Sequence, residues 1–188
     1  MIIKNPVAMK CAFGENPKRC YGQGGKKAPM TRMGVAALLR ELLFKAREYQ
    51  QNKDSGKEPK FDMKLEAMLP VMRKEIPLKC HVHRCDDILT AIRIAKEFDV
   101  NLTIDHCTDG AAIADIVAES GYPALLGPLF GRKSKVELMS KSFKTPGILN
   151  KAGVKICLVT DCCVIPIDVL PLCAGLSVSE GLDYEEGW

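Results

Sequence analysis

The chain has 188 residues, enough for one well-cored domain and short for two. Hydrophobic residues at 47% and charged residues at 27% exclude a disordered or collagen-like chain. A net charge of +4 is too small to argue for nucleic acid or an anionic membrane, so the expected partner is a small-molecule substrate, with a homo-oligomer left open.

No apolar run approaches the ~18 residues of a membrane span, and the first ten residues lack the apolar core and cleavage site of a signal peptide. A cytoplasmic location is expected. The nine cysteines form no CxxC pair, which argues against a disulfide framework. Most are expected to be small buried hydrophobes.

In chain order, residues 6–13 read as a strand and 14–29 as a polar loop dense in Gly, Lys and Pro. Thr31 is placed to cap a long helix running to about residue 50, 52–59 is a polar turn, and 61–75 resumes helix despite Pro70. From residue 77 onward strands and helices alternate. A strand at 78–82 precedes an amphipathic helix at 86–98, with Ile88, Ala91, Ile92 and Ala95 on one face and Asp86 as its N-cap. A strand at 101–105 precedes a helix at 110–119. Residues 123–127 and 154–160 read as two more strands, a polar segment at 134–150 as helix between them, and a further helical segment begins at 177–186. Strands alternating with helices predict parallel βαβ units.

Five strands, each followed by helix, amount to about five of the eight units of a (β/α)8 TIM barrel, which needs ~250 residues. The predicted class is therefore α/β. Residues 1–188 are read as a single domain, a partial barrel cut at both ends, and the alternative is an open, doubly wound sheet.

All three histidines fall at or just beyond the C-terminal ends of predicted strands: His81 and His83 after the strand at 78–82, and His106 after the next. Asp161 holds the same place on the last strand. Active sites of parallel α/β folds form on that rim. Residues i and i+2 share a strand face but diverge past its end, so one metal ligand is expected from the His81/His83 pair rather than two. Imidazole and carboxylate donors together suit zinc, with iron or manganese as alternatives. Such an ion lowers the pKa of a water toward ~7, and Asp161 would take its proton and return it to a leaving nitrogen.

Other readings are weaker. The stretch 22–27 fails the P-loop form, because Cys20 stands at the position of the first glycine and Lys27 at that of Ser/Thr. A structural zinc on Cys80 and Cys85 conflicts with strand alternation, which puts Cys80 and His81 on opposite faces. A non-catalytic α/β metal- or thiol-binding module would use Cys157, Cys162 and Cys163.

His-x-His followed by Arg-x-Asp-Asp-Ile at 81–88, Ile-Asp-His-Cys-Thr-Asp-Gly at 104–110 and Val-Thr-Asp at 159–161 resemble strands five, six and eight of the amidohydrolase superfamily. The similarity is greatest to imidazolonepropionase and related amidohydrolases, and residues 14–22 and 31–34 also resemble stretches of that branch. The resemblance implies a metal-dependent hydrolase of carbon–nitrogen bonds in amides or cyclic amides. It further implies His81 and His106 as metal ligands, Asp161 as ligand and proton shuttle, and His83 as a substrate contact. In two-metal members a carboxylated lysine or a glutamate bridges the ions, and Lys10 and Glu15 are the candidates. The family's strand-one His-x-His has no counterpart, so the chain alone is expected to be inactive.

Overall fold

The computed structural model describes residues 5–187. Five strands form one sheet in the order β1 (Met9–Ala12), β2 (Leu78–Val82), β3 (Leu102–His106), β4 (Ala124–Leu126) and β5 (Ile156–Leu158). β3 with β4 and β4 with β5 pair in parallel, with Ile104 opposite Ala124 and Leu126 opposite Leu158. Strand order follows chain order without the reversal that marks the switch point of a doubly wound sheet. Each crossover therefore moves one place in the same direction, as in singly wound βα folds. No helix among the described residues is long and apolar enough to cross a membrane.

The chain divides into two compact units. The first comprises Met1–Cys80 and Thr90–Leu102. Here α1 (Glu15–Pro17) leads into a wide helical turn at Lys18–Gln23, so the segment expected to be a polar loop is partly helical. The Thr31 hydroxyl accepts the Gly34 N–H at 3.0 Å and opens α2 (Arg32–Asp54), as the sequence predicts. The Asp62 carboxylate does the same for α3 (Met63–Met72), taking the N–H groups of Lys64 and Leu65. Val35, Leu43, Ala46 and Tyr49 make the buried stripe of α2, and the Tyr49 hydroxyl donates to Glu66 on α3 at 2.6 Å. The distal part of α4 (Cys85–Phe98) also belongs to this unit, with Phe98 set edge-on to Phe44 at 4.8 Å.

The second unit comprises His81–Leu89 and Thr103–Trp188. It holds α5 (Ala114–Ser120), α6 (Lys144–Lys151) and α7 (Leu170–Ser179). Three expectations need correction. α4 begins at Cys85, so Asp86 is not its cap but lies in the first turn, where its carboxylate accepts from the Asp87 N–H and the Arg84 guanidinium. Residues 134–150 are not one helix: a single turn at Val136–Leu138 precedes α6, which starts just before Pro146, a residue tolerated in a first turn. In place of a helix beginning at 177, α7 starts at Leu170 and ends before Glu180, and a single 3-10 turn follows at Glu185–Gly187. The α7 sequence Leu-Pro-Leu-Cys-Ala-Gly-Leu is apolar on all sides and carries no helical period to read.

Candidate metal centre

β2 shows the alternation of a half-covered strand, with Leu78, Cys80 and Val82 buried and Lys79 and His81 less so. His83 stands one residue past the strand end, and the backbone holds it there. The Cys107 N–H donates to the Val82 carbonyl at 3.1 Å and the Asp109 N–H to the His83 carbonyl at 2.8 Å, extending the pairing beyond both strands. His106 is the last residue of β3. It and Cys107 take left-handed backbone, with φ of 69° and 47°, turning the chain sharply at the strand end.

These turns bring the three imidazoles together. One ligand nitrogen from each of His81, His83 and His106 lies within 4.8 Å of the others. The His83 and His106 rings are stacked, with centroids 4.8 Å apart, and His81 stands edge-on to both at 4.6 and 4.5 Å. His83 and His106 are buried and His81 is half-buried.

Two further contacts orient the rings. The His106 Nδ1 lies 2.5 Å from the Gly127 carbonyl oxygen, which can only accept, so Nδ1 carries the hydrogen and Nε2 keeps its lone pair. Gly127 has φ 143°, and a Cβ at that position would run into the Val159 carbonyl oxygen, so the close approach requires glycine. The His83 Nδ1 lies 2.7 Å from the Thr108 hydroxyl, itself buried. Burial pushes the His83 pKa from its ordinary 6.5 down to about 3, assisted by repulsion from His106, Lys135 and Lys141. His83 is thus a neutral imidazole at physiological pH, the form that binds a metal.

The donor set fits a divalent transition ion. Nitrogens bound at ~2.1 Å to one tetrahedral ion lie about 3.4 Å apart, so the rings, now within 4.8 Å of one another, close by about 1 Å to share an ion. Three imidazoles with room for water form the donor set of a catalytic rather than a structural zinc site.

The sequence-derived candidates are distributed unevenly. His81 and His106 lie together, and His83 joins them, so the His-x-His pair delivers both rings to one cluster rather than one. Asp161 is not part of it. It lies on an exposed turn three residues beyond β5, with φ 52°, and its carbonyl accepts the Val164 N–H at 2.7 Å. Lys10 is an exposed residue of β1 and Glu15 the first residue of α1. Thr108 and Gly127 orient two of the rings from 25 and 21 residues away in the chain, a separation that no local pattern in the sequence signals.

The expectation that most cysteines are buried fails. Cys80, Cys107 and Cys173 are buried, Cys11 and Cys85 half-buried, and Cys20, Cys157, Cys162 and Cys163 exposed. Cys20 sits in the helical turn Lys18–Gln23, Cys157 on β5, and Cys162 and Cys163 on the turn that follows β5. Among the described residues, the side chains grouped within reach of one ion are the three histidines, and Cys157, Cys162 and Cys163 lie outside that group.

Fold and site together define a parallel α/β protein with a three-imidazole centre at its strand ends. The chain is similar to the crystal structure of an amidohydrolase from Thermotoga maritima MSB8, at 42% identity and a TM-score of 0.93. The match covers 99% of this chain and 50% of that one, so the chain spans half the length of this structural neighbour. The likeness supports the amidohydrolase superfamily. No family model and no curated protein matches the chain.

Proposed function

We propose that the chain forms five βα units of a metal-dependent hydrolase of the amidohydrolase superfamily, acting on carbon–nitrogen bonds of amides or cyclic amides. The convergence of His81, His83 and His106 at the strand ends carries this reading. Zinc is the expected ion, and a substrate like that of imidazolonepropionase is the finer expectation, as is a cytoplasmic location. When bound, the ion supplies Lewis acidity, lowering the pKa of a water and polarising the carbonyl to be attacked.

The protein's own groups prepare that chemistry. Gly127 fixes the tautomer of His106, and Thr108 fixes the ring of His83. Burial keeps His83 unprotonated, so no proton competes for its ring nitrogen. We assign Asp161 the task of accepting the proton of the attacking water on its carboxylate and delivering it to the leaving nitrogen. Its place past β5 gives it the freedom of an exposed turn. In a two-metal form, Lys10 or Glu15 would supply the bridge.

Elemental analysis of the purified protein, and zinc, iron(II) and manganese(II) titrations of the chelator-treated protein, test the ion site. His106→Ala is expected to abolish stoichiometric binding, and unchanged binding would remove the site. For the reaction, a panel of cyclic and acyclic amides is assayed with metal. Asp161→Asn is expected to lower kcat by at least ~10² while the metal content stays near that of the parent. A near-parental kcat would assign the proton transfer to another group.

A further inference from the structure

The metal centre uses none of the nine cysteines, yet two of them are placed together in the first unit. The Met9 N–H donates to the Pro77 carbonyl at 2.9 Å, which sets Met9 of β1 opposite Leu78 of β2 and, two residues on, Cys11 opposite Cys80. Their Sγ atoms are 2.8 Å apart, in direct contact, and either thiol can donate to the other. Neighbouring strands lie about 4.8 Å apart, within the Cα range of about 4.4–6.8 Å that a disulfide spans. A bond of ~2.05 Å therefore needs a small side-chain closure and no shift of either strand.

Access is unequal. Cys80 is 1% exposed, whereas Cys11 is half-buried and lines a surface cavity of about 230 Å³ with Phe13, Tyr21, Val35 and Leu38. The cavity offers a small oxidant a route to Cys11, and the buried Cys80 lies beside it in the place of a resolving thiol. Sensor cysteines are built in this way, an accessible sulfur beside a second one that captures it.

We propose that Cys11 and Cys80 are a redox pair that closes to a disulfide between β1 and β2 on exposure to a peroxide. In the first step the Cys11 sulfur attacks a peroxide oxygen, the O–O bond breaks, and Cys11 sulfenic acid and one water form. In the second, the Cys80 sulfur attacks the Cys11 sulfur, the S–O bond breaks, and a second water leaves. Overall the two thiols give up two protons and two electrons, one hydrogen peroxide is reduced, and two waters form. A dithiol reductant returns both thiols.

The test uses the full chain treated with substoichiometric hydrogen peroxide, alkylated after denaturation and mapped by peptide mass spectrometry. The expected product is the Cys11 peptide joined to the Cys80 peptide, lost on reduction, with Cys20, Cys157, Cys162 and Cys163 largely alkylated. Cys20→Ser should keep the link and Cys11→Ser should lose it. The denaturant midpoint of the parent should rise on oxidation and return on reduction, because the bond closes a long loop in the unfolded chain. Recovery of both Cys11 and Cys80 in alkylated form while the exposed cysteines oxidise would overturn the proposal. So would Cys11 advancing to sulfinic acid without linkage. Because the readout is covalent mapping of the parent chain, it stands even where a variant folds poorly.

Discussion

At His106 and Cys107 two consecutive non-glycine residues adopt left-handed backbone, a conformation that costs of order 1–3 kcal/mol per residue unless its surroundings enforce it. Here the enforcing groups are the Gly127 carbonyl on the His106 ring and the Val82 carbonyl on the Cys107 N–H. The turn presents the ring to its two neighbours. The same logic makes Thr108 a positioning residue for His83. Thr108→Val keeps the shape and removes the hydroxyl, so zinc affinity should drop by about 10- to 100-fold with the far-UV spectrum unchanged. Competition against a chromophoric chelator measures it, and undiminished affinity would show that His83 needs no such support. His83 also predicts a pH dependence. Its folded pKa of about 3 lies below the ordinary 6.5, so between those values the unfolded chain binds a proton that the folded chain lacks. The stabilisation is complete above about pH 6.5 and is lost as pH falls toward 3. Thermal midpoints of the metal-free protein should be level near neutrality and decline below pH 6.5, and His83→Gln should flatten that decline.

Among the helices, the contact between α2 and the end of α4 has an aromatic part, which joins the buried Phe98 to the exposed Phe44, and a charged part. Phe98 is buried, edge-on to Phe44, and the Arg47 guanidinium lies 4.8 and 5.0 Å from the two ring centroids. In the charged part, Arg40 and Glu97 form a two-pronged ion pair that raises the arginine pKa and lowers that of the glutamate. The aromatic part should dominate, because exposed pairs are screened by water and salt. Phe98→Ala is expected to cost about 3–5 kcal/mol in urea unfolding. Arg40→Ala should cost clearly less, by an amount that shrinks further in high salt. A larger loss from Arg40→Ala would reverse this ranking.

For the molecule as a whole, a ligand held by residues that only folding brings together must stabilise the fold. His81 lies in β2 and His83 just past its end, while His106 ends β3 more than twenty residues along the chain, so the unfolded state offers no comparable site. By mass action, zinc at about 100 times its dissociation constant should add ~2.7 kcal/mol. The thermal midpoint should rise with added zinc and return with chelator, and His81→Ala should abolish the rise. A midpoint insensitive to zinc in the parent chain would contradict a shared site.

The amino-acid sequence by itself determined the strand–helix alternation from residue 77, the caps at Thr31 and the rim position of all three histidines. These are local properties, written in apolar period, capping side chains and distance from a strand end. It misplaced α7 and the segment before α6, because an all-apolar helix and a polar one broken by Pro and Gly carry no period. The tertiary structure alone decided that His83 turns inward beside His81, since past a strand end direction depends on backbone bonds to the next strand. It alone supplied the Gly127 carbonyl and the Thr108 hydroxyl, partners 21 and 25 residues away in the chain. It alone set Cys11 against Cys80 across 69 residues, because strand register is a property of the pair and belongs to neither strand.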